Sequence, residues 1–121
     1  MEAILNYLSE KIMIIPFLIG IIFAITALIT LRFPPKKINY LYGYRTIASM
    51  KNQQVWDFSQ HYSGIKMLQI GLVLVAISFL NFFFDLEEDL QVGMGLSLVI
   101  LACVYLFFTT ERAIKKNFPK E

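Results

Sequence analysis

The chain has one cysteine, one histidine and one tryptophan, and no charge in the centre of its three long apolar runs. A single cysteine, Cys103, cannot close an internal disulfide, and no CxxC pair offers a redox or metal motif. It reads as a small packing residue inside an apolar run. His61 has no second histidine or cysteine pair with which to build a zinc site. Asp57 lies four residues before it, but no nucleophile is patterned beside the two, so a catalytic triad is unsupported. No GxxxxGKS/T or GxGxxG phosphate loop is present. The uncharged runs argue against a proton relay or ion-coupled transport. Internal repeats, low-complexity tracts and domain linkers are also missing. The expectation is a chain that is not an enzyme and needs no cofactor or metal.

What is present is apolar length. Ile12 to Leu31 is twenty residues without a charge, Met67 to Phe84 eighteen, and Leu90 to Thr110 twenty-one. Twenty helical residues rise roughly 30 Å, the thickness of a hydrocarbon core. None of the three has the polar face that a helix of a soluble domain needs. They fill nearly half of the 121 residues and explain the 57% hydrophobic composition. The fold class is therefore all-α, one polytopic membrane domain over residues 1–121 with spans at about 12–32, 65–84 and 90–110. The first run is too long for a signal-peptide core, Glu2 and Glu10 spoil a basic start, and no small-x-small site follows. Residues 1–11 are expected to form a short interfacial helix. Pro34 and Pro35 stop the first span, the short turn after Phe84 makes spans two and three antiparallel neighbours, and the tail is expected to extend the third span as helix for a turn or two before Pro119 ends it. Thr26, Gln69, Asn81 and Ser97 are expected to hydrogen-bond between helices.

Charge in the flanks sets orientation. Arg32, Lys36, Lys37, Arg45 and Lys51 lie in the first loop; Arg112, Lys115, Lys116 and Lys120 lie in the tail. The second loop carries Asp85, Glu87, Glu88 and Asp89 and no basic residue. With three spans the first loop and the C-terminus share a side, so both are expected in the cytoplasm and the N-terminus outside. The net charge of +2 sums a basic side and an acidic side. The basic side suits anionic lipid headgroups; spread along membrane flanks, it is not a nucleic-acid patch. The acids of the second loop read as a solvated turn rather than a cation site.

The segment between the first two spans is patterned. Gly43 permits a turn between Tyr42 and Tyr44, Thr46 or Ser49 can cap a helix, and Gly64 suits the position just past its end. A loop helix of about 47–63 results. Ile47, Met50, Val55, Phe58 and Tyr62 fall on one side of it, Arg45, Ser49, Asn52, Trp56 and Gln60 on the other. The first face suits burial in the membrane, making this an interfacial amphipathic helix with Trp56 near the headgroups. The second face carries groups that form fixed hydrogen bonds. It is expected to lie over the cytoplasmic ends of the spans as a polar pocket or partner surface, with Arg45 and Trp56 partly buried and Arg45 donating to helix carbonyls or to Glu111.

At Asn39, Tyr42-Gly43-Tyr44-Arg45-Thr46, Ser49-Met50, Asn52, Trp56 and Gly64 the chain resembles the SdpI family, over about residues 34–84. These are bacterial membrane proteins named for immunity to a sporulation-delaying peptide toxin. The resemblance implies a place in the bacterial inner membrane and, with one span before the block where larger members have more, a minimal member. In the family's named case the protein protects its cell from the toxin and sequesters a repressor at the membrane. The implied function is toxin resistance or related signalling, with a peptide toxin or protein partner meeting Tyr42, Gly43, Tyr44, Arg45, Thr46, Ser49, Asn52, Trp56 and Gln60. The alternative is a small accessory subunit of a larger inner-membrane complex that docks through the same loop.

The charge asymmetry has a direct check. Cysteine introduced at Glu88 should label with an impermeant thiol reagent in intact cells, and cysteine at Gln53 should not. The reverse pattern would overturn the orientation.

Overall fold

The computed structural model describes residues 1–119, and every regular element among them is a helix. They are α1 (Glu2–Lys11), α2 (Ile14–Arg32), α3 (Gln53–Ser78), the single turn α4 (Asn81–Phe84) and α5 (Glu88–Asn117). Three stretches are long and apolar enough to cross a membrane: Ile14–Arg32, Gln53–Phe84 and Glu88–Asn117. Few of their side chains are buried within the protein, and their outer faces carry large aliphatic and aromatic groups, as a lipid-facing helix requires.

Small residues bring α2 and α3 together. A Cβ on Gly20 would lie 2.7 Å from the Gly71 carbonyl oxygen, and a Cβ on Gly71 would lie 2.7 Å from the Gly20 carbonyl oxygen. The two backbones therefore touch at one reciprocal crossing. Lipid supplies no hydrophobic drive for one helix to leave it for another, so close backbone approach and dispersion must hold such a pair. α5 joins this pair through Gly95, beside Ile15 and Pro16, and through Ala102, which meets Ile70 and Leu74 with Ile19, Phe23, Leu98 and Leu106 around them. α1 buries none of its residues. Its end is tethered by the Lys11–Asp85 ion pair at 3.0 Å, and Met13 N donates to the Ser78 carbonyl at 2.9 Å.

The structure revises several local expectations. The loop helix of 47–63 is not a separate interfacial element. Residues 47–50 form a turn, and α3 begins at Gln53 and runs without a break through Gly64. The reason is a choice of cap. Asn52 is extended and its side chain accepts from Val55 N at 2.9 Å, so it takes the N-cap role. Thr46 and Ser49 are engaged with one another instead: Thr46 N donates to Ser49 Oγ at 2.8 Å and Ser49 N to Thr46 Oγ1 at 3.1 Å. With the helix starting six residues later, Ile47 and Met50 lose the face they were assigned to share with Val55, Phe58 and Tyr62. Val55 is buried inside the protein, Ile47 is 97% exposed, and Phe58 meets the Phe118 ring with centroids 5.4 Å apart.

The four intramembrane polar groups likewise form no bond between helices among the described residues. Asn81 Oδ1 accepts from Leu86 N and closes the turn before α5. The Thr26 carbonyl accepts from Thr30 one turn on.

The crossing predicts a contrast between glycines. Gly71→Val should lower the Tm in detergent markedly, because its side chain meets backbone atoms that cannot move aside. Gly93→Ala, whose Cβ would meet nothing within 4 Å, should be neutral or stabilise by about 0.5–1 kcal/mol through helix propensity. Equal thermal shifts for the two would remove the crossing as the point of closest contact.

Candidate functional site

The α2–α3 loop is built onto the first turns of α3. A loop at the rim of a membrane protein cannot leave buried backbone groups unpaired, and side chains at three-to-four-residue spacing on α3 answer this need. Trp56 is fully buried, and its indole Nε1 donates to the Pro35 carbonyl at 2.6 Å. Gln53 Nε2 donates to the Lys36 carbonyl and, at 2.7 Å, to Asp57 Oδ1. Gln60, only 2% exposed, meets Tyr44 twice: its Oε1 accepts from Tyr44 N at 2.6 Å and its Nε2 donates to the Tyr44 carbonyl at 2.7 Å. The carboxamide thus treats Tyr44 as a neighbouring β-strand would. Ser59 and Ser63, also buried, keep their hydroxyls on α3's own carbonyls and leave room for the loop above.

The turn preceding Tyr44 explains the glycine. Gly43 has φ +103°, a left-handed value that costs a residue with a side chain, and a Cβ there would run into Gln60 Oε1 and Pro35. Asn39 Oδ1 prepares the turn by accepting from Leu41 N at 2.9 Å and Tyr42 N at 2.7 Å. Tyr42 then donates its hydroxyl to the Phe33 carbonyl at 2.6 Å, satisfying a carbonyl at the end of α2.

A second set of bonds ties the loop to α5. Tyr44 Oη and Thr46 Oγ1 both donate to one Glu111 carboxylate oxygen, at 2.8 Å and 2.9 Å. Burial, followed by the bond to Glu111 and its charge, pushes the Tyr44 phenol's pKa up. Ser49, fully buried, completes the turn with its hydroxyl within 3.2 Å of the Tyr44 carbonyl.

The stripe read from the sequence is thus partly assembled and partly dispersed. Tyr44, Thr46, Ser49, Trp56 and Gln60 converge; Asn52 caps α3; Tyr42 and Gly43 shape the turn. Arg45 departs from expectation. It is exposed and has no ion-pair partner among the described residues. Glu111, the acid expected to hold it, is occupied by two neutral hydroxyls that approach from the same turn. Trp56 is an interior residue and not a headgroup anchor. Sequence reasoning missed the Pro35 and Lys36 carbonyls and the inward serines; the four-residue spacing of Ser59 and Ser63 beside Gln60 was the available signal. His61 is exposed and borders a cleft of about 320 Å³ with Lys36 and Asp57.

Leu41 and Ile47 stand at the other extreme, 95% and 97% exposed. The loop backbone is tied down while these apolar side chains face outward beside Arg45.

The SdpI/YfhL protein family matches residues 36–110, from the loop through α3 and most of α5. The uncharacterized protein YfhL of Bacillus subtilis (strain 168) is 41% identical over 83 residues, which are 69% of this chain and 70% of that protein. No solved structure matches the chain.

The raised Tyr44 pKa has a signed consequence. The neutral phenol is favoured in the folded state, so its contribution is fully present below the ordinary tyrosine pKa of about 10 and is lost as pH rises through the higher folded value. Ultraviolet titration of the folded protein should show a late-ionising phase that Tyr44→Phe removes, and Glu111→Ala should move that phase to lower pH only in part, because burial, the larger cause, remains. A Tyr44→Phe protein with an unchanged late phase would refute the assignment.

Proposed function

This chain belongs to the SdpI/YfhL protein family, and from that premise we propose that it is a membrane-embedded binding protein. Its loop would recognise a membrane-active peptide toxin or a protein partner, conferring immunity or related signalling. The observation that carries this reading is a division of labour in the loop. Its backbone is anchored by Trp56 and Gln60 and its Tyr44 and Thr46 hydroxyls by Glu111, while Leu41 and Ile47 are almost wholly exposed. A surface ordered before its partner arrives loses less entropy on binding, and exposed apolar side chains on such a surface are natural contact points.

Binding also fits the chemistry better than catalysis. The hydroxyls beside Glu111 donate to a carboxylate, and the phenol's pKa moves up, the opposite of what an activated nucleophile requires. We place the loop and the C-terminus in the cytoplasm, following the basic residues on both, and the protein in the bacterial inner membrane.

The test separates contact residues from scaffold. Leu41→Ser with Ile47→Ser should abolish survival under challenge with a sporulation-delaying-type peptide while membrane abundance stays within about twofold, since surface changes away from packed groups cost little. Trp56→Ala should instead reduce abundance, because emptying a buried tryptophan site costs about 3–5 kcal/mol. Full protection by the double serine variant would exclude the loop as the recognition surface. If that protection is matched by stoichiometric co-purification with an integral membrane complex, the accessory-subunit reading takes its place.

A further inference from the structure

A cleft of about 300 Å³ runs between α2, the YGYR turn and α3, with Leu106 of α5 at its edge. Its volume is at the lower end of cavities that take small ligands, too small for a folded peptide segment. Its lining changes character with depth. Tyr42 and Arg45 lie on the loop; Thr26 of α2, Met67 of α3 and Leu106 of α5 lie within the apolar spans. Arg32 at the end of α2 and Lys66 on α3 mark the level at which the chain leaves the hydrocarbon, so the cleft crosses the boundary between headgroups and acyl chains. The hydroxyls at its polar end are already committed, Tyr42 to the Phe33 carbonyl and Tyr44 to Glu111. Arg45 is the charged donor left at the mouth, exposed and without an ion-pair partner among the described residues.

We propose that this cleft is a seat for one anionic phospholipid of the bilayer, with its phosphate on the Arg45 guanidinium and the first part of one acyl chain along Met67 and Leu106, the rest of the lipid lying in the surrounding bilayer. The planar guanidinium fits a phosphate in forked geometry. The surrounding loop cations favour anionic over zwitterionic lipid at this depth. The exposed Thr26 opens the cleft sideways to the bilayer, so a lipid enters without disturbing the loop. A lipid seated there would fill the space beneath the YGYR turn and complete the support that Gln60 and Glu111 give it. This inference does not rest on toxin recognition, and its experiment measures lipid rather than protection.

The test is native mass spectrometry of the full chain in mild detergent, with phosphatidylglycerol or phosphatidylcholine of the same acyl composition added. The wild type should retain one phosphatidylglycerol in preference to phosphatidylcholine. Arg45→Gln should cut that retention roughly tenfold, the expected effect of losing one charge-assisted hydrogen bond. Lys51→Gln removes the same charge from an exposed loop position outside the cleft and should change retention by less than about twofold. Thr26→Trp, which fills the cleft from its open side, should lower retention of both lipids; helicity and gel-filtration profile confirm that each variant is folded. Equal retention of the two lipids by the wild type would overturn the proposal. So would an effect of Lys51→Gln as large as that of Arg45→Gln, or unchanged retention in folded Thr26→Trp.

Discussion

The loop depends on the Gln60 carboxamide meeting both backbone groups of Tyr44. A neutral side chain that accepts from an N–H and donates to the carbonyl of the same residue satisfies two partly buried groups at once. Leaving either unpaired would cost roughly 1–3 kcal/mol. The arrangement also sets a direction. With Tyr44 held in this way, its ring reaches α5 and its hydroxyl meets Glu111. The turn must then reverse at Gly43, the one non-helical residue of the loop with positive φ. Thr46 follows onto the same carboxylate. Three helices are thus connected at one end by polar bonds, where an apolar interface would have no water-driven force to hold them.

The spans obey a different rule. Between α2 and α3 contact comes from the absence of side chains at Gly20 and Gly71, and α5 repeats the device with Gly95 against α2. Dispersion falls steeply with distance, so a few tenths of an ångström at these points outweigh a larger side chain that holds the backbones apart. The polar clamp and the glycine crossing lie at different depths of the same helix pair. Together they fix both the position and the rotation of α3, which neither would do alone.

Most of the architecture was legible because it follows from length and charge. The three apolar runs, the helical tail beyond Thr110 and the short helix before the first span need no tertiary information. The loop was legible in its residue types and not in its phase. Arg45, Ser49, Asn52, Trp56 and Gln60 share a helical face only if the helix begins before Arg45 or just after it. Whether Ser49 or Asn52 caps it decides that, and the two are near-equivalent by propensity. What tips the balance is Thr46, which engages Ser49 and leaves Asn52 free to cap. Trp56 and Gln60 survive the error because they lie on the true helix; Arg45 and Ile47 do not. The Glu111 partnership was half visible. An acid at that place suggested a cation, and two hydroxyls on a preceding turn reached it first, a choice that depends on distances no spacing rule contains.

The displacement of Arg45 from that carboxylate matters to the chemistry of the loop. Had the guanidinium paired with Glu111, the pair would have neutralised the acid that the turn's hydroxyls meet, at the desolvation cost of taking a second charge out of water. Hydroxyl donors satisfy the carboxylate without a second buried charge, and the positive charge stays outside, at the membrane boundary. A cation in that position adds to the attraction for anionic headgroups or for an acidic partner. The same substitution of partners that makes the loop rigid therefore leaves it with a charged donor, and with Leu41 and Ile47 beside it, free to meet something other than the protein itself.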